Sequence, residues 1–515
     1  MKDGGSAPSG RQAPLDMTAE EFRTAGRAVV DRLADFLATQ SARPVAPGLS
    51  PEQVRALLAA GGPPELGTAA RPLLEEAARL LLDHSTLSGH PRFLAYVVSS
   101  PSPIGALADL MAAIVNPNVG AWDLAPMATE IEAVSVRWIA GMLGYPIDCG
   151  GLLTSGGNMA NFVGFLAARR AKAPWDVRVE GAGPREGGRL AVYTSAETHT
   201  WVHKAADLFG LGTSAIRWVP TDDAQRMDVD ALRRQIRADR SAGWLPFLVA
   251  ATGGTVSTGA VDPLPRIAAV CREEDLWFHV DAAYGGFAAV VPGAPEDLRG
   301  LALADSVAVD PHKWLYAPLE AGCALVRDRE LLRSTFEYRP TYYHLREEEA
   351  KDEAINYYQY GPQNSRGFRA LKVWLGLRLA GQSGYRRMIA DDMALARALF
   401  EAAERHPELE AFTIGLSVTT FRYVPEELVG KTAKDEEYLD RLNTELLTRL
   451  QGGGEVYLSN AVVRGRFVLR SCVVNFRTTA EDIAAVPEIV ARAGRQVHRD
   501  LKKLGEGALK LPRPP

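Results

Sequence analysis

The chain has 515 residues, 47% of them hydrophobic and 23% charged, with a formal net charge of −5, which is enough apolar material for one large domain and smaller companions. Charges of both signs are interspersed, so no basic stripe is offered to a nucleic-acid backbone, and the longest apolar stretch, 93–108, is broken by Ser99-Ser-Pro-Ser-Pro103, so no membrane span is expected. Cys149, Cys271, Cys323 and Cys472 lie far apart without a Cys-x-x-Cys pair, which points to buried thiols of a cytoplasmic protein rather than to a disulfide framework or zinc knuckle.

Residues 1–16 are rich in Gly, Ser and Pro and read as a disordered leader. Over 18–40, Phe22, Val29, Leu33 and Leu37 fall at helical spacing, and Thr18 with Glu21 makes a capping box, so an amphipathic helix is predicted. A Pro-rich 42–51 and further helical material to His84 complete an N-terminal helical segment, 17–100. From 101 to 382, β-rich runs at 190–194, 247–251, 277–281, 307–309 and 323–326 alternate with helical stretches. That alternation predicts an α/β domain with a mostly parallel sheet covered on both faces. A helical run at 368–403 leads into 383–515, where β-containing stretches at 416–422 and 467–476 and a helix from Ala480 predict a small α+β domain ending in a frayed tail at 510–515.

Two motifs carry chemistry. Trp277-Phe-His-Val-Asp281-Ala-Ala-Tyr-Gly285 reads as a buried strand ending in a carboxylate, and the short strand 307–309 delivers Asp310-Pro311-His312-Lys313-Trp314 to the same sheet edge, where α/β folds bind ligands. Pyridoxal phosphate needs a lysine amine to carry its aldehyde as a Schiff base and an anion to keep its pyridine nitrogen protonated. Lys313 and Asp281 suit those two roles. Thr154-Ser-Gly-Gly-Asn158 is a small-residue turn opening a helical run, a setting in which backbone N–H groups attract phosphate. His199 and His203 are four residues apart, but no third metal-ligand motif lies nearby, which argues against a metal site. Asp262, before Pro263, reads equally as a turn residue.

Together these residues resemble the pyridoxal-phosphate-dependent group II amino acid decarboxylases, the aromatic-L-amino-acid and glutamate decarboxylase group, over about 17–482. The resemblance implies a fold type I, aspartate-aminotransferase-like large domain, an N-terminal segment that packs across a partner in a homodimer, and an amino acid substrate. It also implies that Gly157 and Asn158 grip the phosphate, that His199 lies flat on the cofactor ring, that Thr255 lies beneath the cofactor, and that His312 assists beside Lys313. Tyr96, Ser99 and Arg470 are the implied substrate-binding residues. The segment from Tyr338 to Tyr360 is charged, aromatic and without a clear period, and reads as a mobile lid. Ungapped matching to the stretch Arg366 to Trp374 makes Tyr357 the lid tyrosine that protonates Cα, with Tyr342 and Tyr358 as fallbacks.

The expected reaction is decarboxylation of an L-amino acid to the amine, with an aromatic substrate favoured by His90-Pro-Arg-Phe93, Tyr96 and Trp122. Small residues at Ser88 and Gly120 suggest a widened substrate pocket. The alternatives are an acidic or aliphatic substrate, an oxygen-dependent aldehyde synthase, against which the retained Tyr357 speaks, and an inactive binding protein on the same fold.

Overall fold

The computed structural model describes residues 13–58, 61–183, 188–338, 354–428 and 433–504. Most of the expected leader, residues 339–353 of the expected lid with Tyr342 in them, and the expected tail lie outside these. The first helix, α1 (Ala19–Thr39), begins where the sequence predicts, with the Thr18 side chain and Glu21 capping each other's backbone N–H. It is followed by α2 (Pro51–Ala56), α3 (Ala70–His84), α4 (Pro103–Val115) and α5 (Pro126–Met142). Neither α1 nor α3 buries a single residue.

A seven-stranded sheet follows. It comprises β1 (Gly150–Thr154), β2 (Arg189–Ser195), β3 (Ile216–Val219), β4 (Trp244–Thr252), β5 (Trp277–Asp281), β6 (Ser306–Val309) and β7 (Gly322–Val326), in the order β1-β7-β6-β5-β4-β2-β3. Five neighbouring strands are parallel, and β7 runs antiparallel to both β6 and β1. Alternate residues of one strand enter opposite cores: Phe278 and Val280 join one apolar cluster, while Trp277 packs with Phe165 and Phe247 in the other. That double burial explains the near-continuous apolar runs in the sequence. The sequence reading missed β1 and β3. β1 opens on two glycines, and β3 is a four-residue edge strand that leaves Trp218 at the surface.

Helix α6 (Gly157–Lys172) crosses the sheet beneath the site. The long helix Ala370–Arg405 breaks at Gly381 (φ 64°, ψ 167°). Its Val373 and Leu377 pack with the large sheet's core, and its Ala396 and Leu399 pack with a C-terminal core. That second core covers an antiparallel sheet of β8 (Leu409–Gly415), β9 (Val418–Tyr423), β10 (Ser459–Val463) and β11 (Arg466–Cys472), in the order β10-β11-β9-β8, with helices Ala433–Gly453 and Ala480–Leu504. No helix among the described residues is long and apolar enough to cross a membrane.

One buried ion pair ties three elements together. Glu132 of α5 and Arg366 are bonded and almost inaccessible; Glu132 also accepts from the Leu153 amide (2.8 Å), and Arg366 donates to the carbonyls of Val119 (2.9 Å) and Leu153 (2.7 Å). Removing one member of such a pair leaves a buried charge without its partner. Glu132→Ala is therefore expected to lower stability by about 3–5 kcal/mol, read from the denaturant midpoint; a loss under about 1 kcal/mol would show that the pair behaves as a surface bridge.

Candidate active site

The register of the parallel strands levels their carboxyl ends. Thr252 of β4 pairs with Asp281 of β5, and Asp281 pairs with Ala308 of β6. On that line stands Asp281 at the end of β5, and just beyond it the chain delivers His199 after β2 and Asp310, His312 and Lys313 after β6. With Gly156, Gly157, Asn158, Thr252 and Val256 these residues line one cavity of about 420 Å³.

At one end of the cavity the turn between β1 and α6 places Gly156 at φ 108°, a conformation that glycine adopts without strain. The turn aims the first amides of α6 inward, toward where an anion is favoured. Asn161 lines the cavity too, and its side-chain amide donates to the Gly157 carbonyl (2.9 Å). The same side chain accepts from His279 Nε2 (2.7 Å), while His279 Nδ1 meets the Ser306 hydroxyl (2.8 Å). Burial pushes the His279 imidazole down to about 4, so this link between α6 and the middle strands is neutral.

Asp281 is nearly buried and accepts from the Ala283 amide (3.2 Å). Burial lowers the pKa of His199 against the opposing pull of Asp281, which favours a neutral ring suited to stacking. Burial likewise lowers that of His312, whose Nδ1 lies 2.7 Å from the Ala321 carbonyl. Lys313 Nζ sits 3.1 Å from Asp310 Oδ2.

The turn carrying Lys313 rests on a buried platform. Asp392, on the long helix, accepts from Trp314 Nε1 (2.9 Å) and from the Tyr316 hydroxyl (2.7 Å). Tyr284, which lines the cavity, stacks on Trp314 at 4.8 Å. A lysine for the aldehyde, a carboxylate at the end of β5, an imidazole whose pKa burial lowers and a helix start for the phosphate form a donor set that fits pyridoxal phosphate.

Not every expected residue faces the cavity. Thr255 is buried within its own loop, its hydroxyl bonded to Thr258 (3.0 Å) and accepting from the Ala260 amide (3.1 Å), and its neighbours Gly254 and Val256 line the cavity instead. Ser99 does not line the cavity either: its hydroxyl donates to the His312 carbonyl (2.7 Å), a supporting contact. Tyr96 is half exposed outside the cavity, its carbonyl receiving Arg470 Nη1 (3.2 Å). Arg470 itself is buried; its Nη1 also donates to Ser459 Oγ (3.1 Å), while its Nε and Nη2 are buried without a hydrogen-bond partner among the described residues. Tyr357, the expected proton donor, is buried with its ring 4.6 Å from the Arg366 guanidinium and lines a different cavity, with Cys149 and Arg329. His203 packs on Trp218 at 4.8 Å. The expected widening at Gly120 is absent, because a side chain there would meet the Asn364 carbonyl at 2.1 Å.

Sequence reasoning missed Asn161, Asp310 and Tyr284 as lining residues. Asp310 and Tyr284 stand inside the two motifs that it used, so proximity to Lys313 and Asp281 was the available signal. Asn161 is placed by helical geometry, one turn after Gly157.

Burial pushes the Asp392 carboxyl up to about 7, above its ordinary range near 3.8. An acid whose folded-state value is raised favours the folded state while protonated, so its contribution to stability falls as pH rises from about 4 to about 7. Asp392→Asn is expected to flatten that part of the stability profile, measured by denaturant midpoints across this range; an unchanged slope would remove Asp392 as its source.

A family model described as the pyridoxal-dependent decarboxylase conserved domain matches residues 51–424. The chain is 34% identical over 473 residues to an aromatic-L-amino-acid decarboxylase of Bacillus atrophaeus, covering 92% of this chain and 95% of that one. Among solved structures it resembles Oryza sativa TDC with PLP and tryptamine, with a TM-score of 0.86 and 30% identity over 94% of this chain and 99% of that one. It also resembles a Rhodiola rosea 4-hydroxyphenylacetaldehyde synthase, with a TM-score of 0.82 and 27% identity over 94% and 99% of the two chains. The strand-end lysine and carboxylate thus occur in a chain whose sequence and fold agree over most of their length, and the chain belongs to the pyridoxal-dependent decarboxylase family of pyridoxal-phosphate-dependent amino acid carboxy-lyases.

Proposed function

We propose that the enzyme decarboxylates an aromatic L-amino acid to its arylalkylamine. The observation that carries this reading is the composition of the cavity. Val256 and the exposed Leu319 give it an apolar side, and among its described lining residues Lys313 is the sole lysine or arginine. A substrate with a second carboxylate would find no further fixed cation there, whereas a ring finds apolar surface. The decarboxylases named above support the same class.

In this reading the α6 start at Gly157 and Asn158 would hold the phosphate, His199 would pack against the ring, and Lys313 would supply the amine that holds the aldehyde. When bound, the cofactor supplies a conjugated cationic ring that accepts the electron pair left at Cα as carbon dioxide departs. Asp281 keeps a proton on the pyridine nitrogen throughout, which sustains that acceptance. Ser99 and the Asp392 platform fix the turn from which Lys313 acts. The position of Tyr357, held against Arg366, leaves the Cα proton donor role to Tyr342 in our reading, since Tyr358 also lies outside the cavity lining.

We further read the enzyme as a homodimer. Phe22, Leu33 and Leu37 of α1, Leu73 and Leu81 of α3, and Leu110 and Ile114 of α4 are exposed, an apolar area of the kind that a partner subunit covers. The division into segments 17–100, 101–382 and 383–515 remains our working description, with the break at Gly381 beside the last boundary. Four unpaired cysteines suit a cytoplasmic location.

The deciding experiment is a mass-spectrometric screen of the cofactor-loaded enzyme against aromatic, acidic and aliphatic L-amino acids, recording amines and aldehydes together. Arylalkylamines are the expected products. Product from acidic or aliphatic substrates alone would overturn the aromatic assignment, and aldehyde as main product would favour the synthase reading that the Rhodiola rosea similarity raises. Tyr342→Phe is expected to shift product from amine toward aldehyde and to slow amine formation by on the order of a hundredfold, while Tyr357→Phe leaves the product ratio unchanged. The reverse pattern would return the donor role to Tyr357.

A further inference from the structure

Asp310 has no role in the assignments above, yet it is the acidic group closest to the amine of Lys313. Its carboxylate is about 2% exposed, with Oδ2 3.1 Å from Lys313 Nζ. Oδ1 is buried and has no hydrogen-bond partner among the described residues. The same carboxylate lies against the helix start that suits the phosphate, since a side chain on Gly157 would come within 2.7 Å of Asp310 Oδ2. An ammonium–carboxylate pair therefore occupies the place where a neutral amine and a phosphate dianion are both required. The other titratable groups that face it are His312, with Nε2 at 3.7 Å, His199 across the cavity and Cys323 on β7.

We propose that Asp310 is the base for cofactor capture: it takes a proton from Lys313 Nζ and then stands as a neutral carboxyl beside Gly157. The ammonium and carboxylate become amine and carboxylic acid. One proton crosses the 3.1 Å contact, and no charge enters or leaves the buried site. The transfer frees the nitrogen lone pair that Lys313 needs as a nucleophile. It also removes a negative charge from the helix start and leaves an O–H that can donate to the incoming phosphate, where a retained carboxylate would repel it. Asp310 Oδ1, a buried acceptor without a partner, fits a group that is completed only when this end of the cavity is filled.

The proposal rests on Lys313 being the cofactor lysine, and the experiment separates the two. Cofactor-stripped full-length chain is mixed with pyridoxal phosphate, and covalent capture is followed by absorbance between about pH 6 and 9, for the wild type and for Asp310→Asn. Equilibrium binding of 4-deoxypyridoxine 5'-phosphate, which has the phosphate but no aldehyde, is measured in parallel. Asp310→Asn is expected to capture the aldehyde on the order of a hundredfold more slowly at neutral pH, to recover as pH rises, and to bind the deoxy compound at least as tightly as the wild type. Capture at the wild-type rate across the range would overturn the proposal. So would weakened binding of the deoxy compound, which would make the carboxylate a structural part of the phosphate site. Borohydride reduction of the loaded wild type, with the labelled peptide identified, tests the premise by itself: a label on a lysine other than Lys313 would withdraw the cofactor assignment whatever Asp310→Asn does.

Discussion

The site depends on strand register. Because Thr252, Asp281 and Ala308 sit level across three parallel strands, loops that leave those strands at distant points of the sequence converge on one volume. A slip of one residue in β5 would turn Asp281 toward the opposite core, since successive side chains enter different apolar clusters. Register is held by that double burial, so the packing that stabilises the sheet also places the chemistry.

Polar groups beneath the site are arranged to stay neutral or paired. His279 is uncharged between Asn161 and Ser306, and the Glu132–Arg366 pair is closed on itself and on main-chain groups. Asp281 and the Asp310–Lys313 pair, beside the imidazoles of His199 and His312, are therefore the acidic and basic groups that this framework leaves to act inside the cavity, with Glu320 at its lining held by Arg369. Low dielectric around them strengthens each interaction, which suits Asp281 to holding a proton on a ring nitrogen.

Several residues with suggestive chemistry make framework contacts and stand outside the described cavity lining. Thr255 closes its loop, Ser99 braces His312, Arg470 joins the small sheet to the Tyr96 main chain, and Tyr357 covers Arg366. In each case a local partner engages a side chain that stands in a plausible motif, although Arg470 Nε and Nη2 keep no hydrogen-bond partner among the described residues. Side-chain direction and partner availability, which decide such cases, leave no trace in linear spacing.

The sequence by itself determined the α/β class, the capping box of α1, five strands of the large sheet, and the delivery of Asp281 and Lys313 to one sheet edge, because each is written in short-range patterns: apolar runs, caps and strand-end polar residues. Its shorter signals were insufficient for β1 and β3, where glycines and an exposed edge dilute the pattern. What only the tertiary structure decided is which polar groups share the cavity. Asn161 enters because α6 turns it back over Gly157, and Asp310 meets Lys313 because a turn follows β6. Tyr357 leaves because Arg366, paired to Glu132 far earlier in the chain, holds its ring. The physical reason is that a cavity is assembled from contacts between residues remote in sequence, whose mutual distances arise from packing and register.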